Sequence, residues 1–157
     1  MDPLSLTASI IAVVDVGVEI STQLSRLARK MKNAGKEVAE IADEINSLSS
    51  AVQNLHLCLK EGMHRGEPVY SECMVVDIEH LLKRIEVLHE ETWELLPGKR
   101  RRAAKDKQVE LNVLDCFKWI FKSSKAREIM KKMDSLKSTL SVMMTTLQLA
   151  LQQKLIS

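Results

Sequence analysis

The sequence predicts an all-α protein: a helical bundle of four long helices plus one short helix. Glycine and proline are scarce, at five and three of 157 residues, while Leu, Lys, Glu, Ser and Met dominate, a composition that favours helices over strands. Apolar residues also recur in alternating steps of three and four, the spacing of a seam between packed helices. With 45% hydrophobic residues, the chain matches one domain, residues 1–157, able to bury a core of its own. The same heptads fit a dimeric coiled coil, and no repeat of about 34 residues is visible.

The first helix is expected over residues 3 to 32. Asp2 is a good N-cap, and Pro3 suits the first turn, where its missing N–H costs the helix nothing. Leu6, Ile10, Val13, Gly17, Ile20, Leu24, Leu27 and Met31 form its seam, and Ile11, Val16 and Val18 widen the apolar surface beyond it. Lys30 and Lys32 suit the negative end of the helix dipole, and Gly35 follows as a stop. The second helix carries Val38, Ile41, Ile45, Leu48, Val52, Leu55 and Leu59 and should end near Gly62. Gly62 to Pro68 then reads as a loop.

A third helix, about residues 71 to 95, is capped by Ser71 and turns Val75, Ile78, Leu82, Ile85 and Leu88 inward. Its outward row Glu86, Glu90, Glu94 repels itself at i,i+4 spacing, which calls for a basic neighbour. Pro97-Gly98 ends it, and a mobile basic loop is expected over about 97–108. The short helix is expected from Val109 to Ile120, with Leu111, Leu114, Phe117 and Ile120 or Phe121 inward; Phe117, Trp119 and Phe121 concentrate the aromatic mass there. The last helix, capped by Ser123 or Ser124, runs to about Lys154 on Ile129, Met133, Leu136, Leu140, Met143 and Leu147.

Little catalytic chemistry is written in this chain. The five glycines are scattered, so no phosphate-cradling loop can form, and nucleotide hydrolysis is not expected. His56 and Cys58 point to different sides of a helix, and His64, Cys73 and His80 lack ligand spacing, so no metal is expected. No nucleophile elbow or catalytic cysteine context appears; His80 and His89 fall on the acidic face of the third helix. The chain therefore reads as no enzyme, without cofactor or small-molecule substrate. Met130, Met133, Met143 and Met144 read as core, with an adaptable partner groove as the alternative. Three cysteines, Cys58, Cys73 and Cys116, are no disulfide framework and suit a reducing interior.

Charge is concentrated. Lys99, Arg100, Arg101, Arg102, Lys105 and Lys107 with Asp106 make a net +5 segment in a chain of net +2, so the remainder carries −3. The run reads as a solvated loop, an anionic lipid contact or a nuclear import signal. Nucleic-acid binding ranks below these, because only five aromatics exist and most are committed to packing.

The first helix has two readings. It lacks a basic leader and a cleavage site, so it is no ordinary secretory signal. The uncharged stretch from Pro3 to Val14, about twelve residues, is shorter than the roughly 18–20 that span a bilayer, so a resting transmembrane protein is not expected. Asp15 and Glu19 form an i,i+4 acidic pair, followed by Arg26, Arg29, Lys30 and Lys32. They mark either the solvent edge of a bundle helix, or a helix that leaves the bundle and inserts as an oligomer with its acids facing water. From Pro3 to Leu27 it would measure about 37 Å, enough to cross. The insertion set is Leu4, Leu6, Ile10, Ile11, Val14, Asp15, Val18 and Glu19.

The opening Met1-Asp2-Pro3-Leu4-Ser5-Leu6-Thr7-Ala8-Ser9-Ile10-Ile11-Ala12-Val13 resembles the start of a fungal N-terminal domain. That domain lies ahead of STAND (NLR-type) nucleotide-binding modules and ankyrin repeats, and in azaphilone pigment cluster proteins. Glu44-Ile45 with Leu48, Val52 and Leu55 resembles its second helix. Trp119-Ile120-Phe121-Lys122, then Ile129, Met133 and Leu136-Lys137-Ser138-Thr139-Leu140-Ser141, resembles its tryptophan-containing turn and final helix. Ile120 stands where the family often has proline, and Asp15 where it often has an uncharged residue; Asp15 and Glu19 are thus a reading of this sequence alone.

The domain is similar to the HeLo-like group, whose bundles resemble in plan the membrane-active bundles of cell-death effectors. The resemblance implies a non-enzymatic signalling head of an intracellular immune or heterokaryon-incompatibility receptor, with no catalytic residues to carry over. Self-association or a protein partner is expected, with an anionic membrane as a further partner. The expected location is cytoplasmic, moving to the plasma membrane on activation. The alternative is a soluble adaptor bundle that never touches lipid.

Overall fold

Among the described residues four α-helices follow one another: α1 (Pro3–Lys30), α2 (Gly35–His64), α3 (Glu72–Trp93) and α4 (Val113–Ile156). The structure is a computed structural model. It describes the backbone of residues 3–31, 35–64, 72–96 and 113–156, and the side chains of 5–31, 35–61, 72–96 and 124–153. Leu4, Cys116, Phe117, Trp119 and Phe121 as side chains, residues 65–68 of the expected loop, Ser71 and the basic run Lys99–Lys107 lie outside the described residues, while Gly62 to His64, expected in that loop, are the last turn of α2.

Helix α1 buries Leu6, Ile10, Val13, Gly17, Ile20, Leu24, Leu27 and Met31, and α2 buries Val38, Ile41, Ile45, Leu48, Val52, Leu55 and Leu59. These are the residues of the two expected seams. In α3 the buried face is Ile78, Leu81, Leu82, Ile85, Leu88, His89 and Thr92, with Val75 half-buried at its edge. Ala126, Ile129, Met133, Leu136, Leu140, Leu147 and Leu151 continue the core along α4. Met130, Met143 and Met144 pack partly buried against it. A fully buried Leu or Ile contributes about 1.5–3 kcal/mol, so these stripes supply the main drive to fold.

The separate short helix is corrected: its residues from Val113 onward and the last helix form the single 44-residue helix α4. No glycine or proline occurs between Val113 and Ile156, and serine in a helix interior costs only a few tenths of a kcal/mol, so Ser123 and Ser124 do not interrupt it. Gly35, expected as the stop of the first helix, instead opens α2. A Cβ there would meet the Ala28 carbonyl oxygen at 2.6 Å, so glycine lets α2 start hard against the last turn of α1. At the end of α3 the amides of Leu95 and Leu96 donate to the Thr92 and Trp93 carbonyls, at 3.0 and 3.1 Å, tightening the chain before Pro97.

Each helix touches two others: α1 packs on α2 and α3, and α4 packs on the same two. Around the bundle the order is α1, α2, α4, α3, and among the described residues neither diagonal pair packs. Ala28 against Gly35 and Gly17 against Ser49 make α1 and α2 an antiparallel pair. Lys125 with Glu94 and Lys132 with Glu91 do the same for α4 and α3. Lys125 supplies a basic neighbour to Glu94, the last member of the Glu86, Glu90, Glu94 row.

Candidate functional site

Helix α1 is the element on which a function would turn, and its position at the rim of the ring gives it two unlike faces. The inner face is apolar and closed. Ile10 and Ile20 are fully buried, and half way along, Gly17 sits where a Cβ would fall well inside contact distance of Ser49 Oγ and 3.4 Å from His89 Nε2. Ser49 and His89 are themselves 4% and 3% exposed. Ser49 Oγ has no hydrogen-bond partner among the described residues, a state that costs about 1–3 kcal/mol when the group is dry. One turn on, Ser21 Oγ donates to the Ala42 carbonyl at 3.0 Å, tying α1 to α2 directly.

The outer face is open. Ala8, Ile11, Ala12, Asp15, Val18, Glu19 and Thr22 are all exposed, Ile11 and Val18 at 46% and 47%. Asp15 and Glu19 stand on the solvent edge of a bundle helix and form no ion pair among the described residues. Of the expected insertion set, Leu6 and Ile10 are thus inside, Val14 is half-buried, and Ile11, Asp15, Val18 and Glu19 are outside. Among the described residues one helical stretch, Ser5–Lys30, is long and apolar enough to cross a membrane. A core helix of a bundle meets that criterion too, and α1 is one.

His89 was expected on an acidic outward face and is buried instead. It follows Ile85 by four residues and precedes Thr92 by three, so it shares their inward stripe, while Glu86 and Glu90 beside it face out. Thr92 beside it is satisfied by donating to the Leu88 carbonyl at 2.7 Å. His80, on the same helix, is exposed.

On the far side of the bundle, α3 and α4 leave an open groove of about 410 Å³, floored by Val87, Leu88 and Leu136 and edged by His80, Lys83, Arg84, Glu91 and Lys132. Lys132 is held by Glu91 at 3.0 Å and lies 3.7 Å from Glu128. The Glu91 hydrogen bond raises the Lys132 ammonium above its ordinary value. Lys83, Arg84 and His80 form no ion pair among the described residues. Sequence reasoning missed this groove, because periodicity names the inward face of each helix but not which helix lies next to which.

Among the described side chains the free thiols are Cys58, half-buried, and Cys73, exposed. Burial, with the Glu61 carboxylate adding to it, pushes the Cys58 thiol up and disfavours the reactive thiolate. No cluster of His, Cys, Asp and Glu suited to a metal ion occurs among the described residues.

The architecture defines the class, an all-α four-helix bundle. Residues 1–156 match the family described as pigment biosynthesis cluster protein PigL N-terminal, and the chain belongs to that family. No curated protein and no solved structure matches it.

Proposed function

We propose that the chain is a non-enzymatic effector or signalling domain that works by self-association and, once the bundle opens, by insertion of α1 into an anionic membrane. The basic run Lys99–Lys107 would hold the headgroups. The resemblance to N-terminal domains of fungal STAND and NLR-type proteins gives this reading its setting, cell death or incompatibility in the cytoplasm and at the plasma membrane. The observation that carries it is α1 itself. It is apolar enough to cross a membrane along Ser5–Lys30, about 39 Å at 1.5 Å per residue, yet packs on two neighbours and leaves its third side in water.

One observation favours the rival, a soluble adaptor with no membrane step. The close approach of α1 to α2 at Gly17–Ser49 and Ala28–Gly35 makes release costly. Dye release from phosphatidylserine-containing vesicles separates the two. Ile11 and Val18 are exposed, so Ile11→Asp with Val18→Asp should keep the melting temperature within a few degrees and abolish leakage. Ile10→Asp would unfold the bundle, since placing a carboxylate in that core costs several kcal/mol. Absence of leakage with the intact chain would leave the adaptor.

A further inference from the structure

We infer that copies of this chain associate head to tail, the outer face of α1 from one copy lying in the α3–α4 groove of the next. The inference rests on the self-association reading above and gives it two surfaces. One is a stripe of acids among apolar side chains: Ile11, Asp15, Val18 and Glu19, all exposed, with neither carboxylate in an ion pair among the described residues. The other is a trough of cations over an apolar floor: Val87, 57% exposed, and Leu136 below, with His80, Lys83 and Arg84 free of ion pairs among the described residues.

The seam between α3 and α4 explains why cations are left over. Towards the C-terminal end of α3 it is zipped by Glu94–Lys125 and Glu91–Lys132. Towards the N-terminal end the pattern stops: the antiparallel register brings Leu136, Thr139, Leu140 and Met143 of α4 opposite Val87, Arg84, Lys83 and His80, with no acid in that row. Helix α4 offers these cations no carboxylate, so a partner can supply one. Helix α1 brings them at matching intervals. Laid antiparallel to α3, Ile11 falls opposite Val87, Asp15 opposite Lys83 and Arg84, and Glu19 opposite His80, because both rows advance in steps of three and four. Each group then meets its complement, apolar on apolar and acid on base.

The ring order keeps this match from closing within one molecule, since among the described residues α1 does not pack on α4. The two surfaces are different patches of the same chain. Their union is a heterologous contact, which builds rings or filaments rather than a closed twofold pair.

Sedimentation velocity on the intact chain over a concentration series tests this with charge reversal. Asp15→Lys with Glu19→Lys should weaken association about a hundredfold, and so should Lys83→Glu with Arg84→Glu, because each sets like charges face to face. An equimolar mixture of the two variants should restore wild-type association, as should all four changes in one chain. All four residues are exposed, so melts followed by circular dichroism should stay within a few degrees of wild type. Larger species in wild type that persist unchanged in both reversals would overturn the head-to-tail contact and leave self-association standing. A wild type that stays monomeric throughout would overturn both.

Discussion

Two glycines that look alike in the sequence have different tasks in the packing. At Gly35 the obstacle to a side chain is the Ala28 carbonyl oxygen, a backbone atom that cannot swing aside. At Gly17 it is mainly the Ser49 hydroxyl, which can rotate about one bond, and alanine there gains up to about 1 kcal/mol in helix propensity. Gly35→Ala should therefore lose about 1–3 kcal/mol and several degrees of melting temperature, whereas Gly17→Ala should stay close to wild type. Thermal melts of the two variants check this, and a Gly17→Ala protein weaker than Gly35→Ala would be the wrong order. Neither task was readable beforehand. Gly17 was recognisable as a seam position, but the identity of what it faces, Ser49 and His89, depends on helices more than thirty and seventy residues away. By contrast Leu6, Ile10 and Ile45 were readable one by one, because burial of a residue on a long amphipathic helix follows from its own period.

At the scale of elements, α1, α2 and the buried face of the last helix emerged as expected, and the separate short helix before it did not. Seams of three and four steps in α1 and α2 are unbroken, so both faces and approximate ends were readable. The mistake lay at Ser123–Ser124, where a serine read as a new N-cap; a capping residue starts a helix only if the chain before it is free to leave one. Ser124→Pro discriminates the two descriptions. In a helix continuous from Val113, proline there removes an interior hydrogen bond and should cost about 3 kcal/mol, lowering the melting temperature by roughly 6–12 °C. At the first turn of a separate helix it would be nearly neutral. Surface ion pairs matter less at this scale: Lys125–Glu94 is well exposed and sets register more than stability.

For the whole molecule, spatial order was the property least available from the sequence. Periodicity names an apolar face for each helix, but nothing local says that α3 lies beside α1 and that α4 lies between α2 and α3. That order leaves one side of α1 in water and creates the α3–α4 groove, so the candidate site is a product of topology laid over a readable helix. On the proposed function, α1 must leave α2 before the domain can act on a membrane. A disulfide across their closest approach tests this: a Cβ on Gly17 would lie 3.4 Å from the Ser49 Cβ, near the separation that a disulfide spans. With Cys58, Cys73 and Cys116 replaced by serine, Gly17→Cys with Ser49→Cys should be silent in vesicle leakage when oxidised and regain leakage on reduction. Equal leakage from the oxidised and reduced forms would contradict the claim.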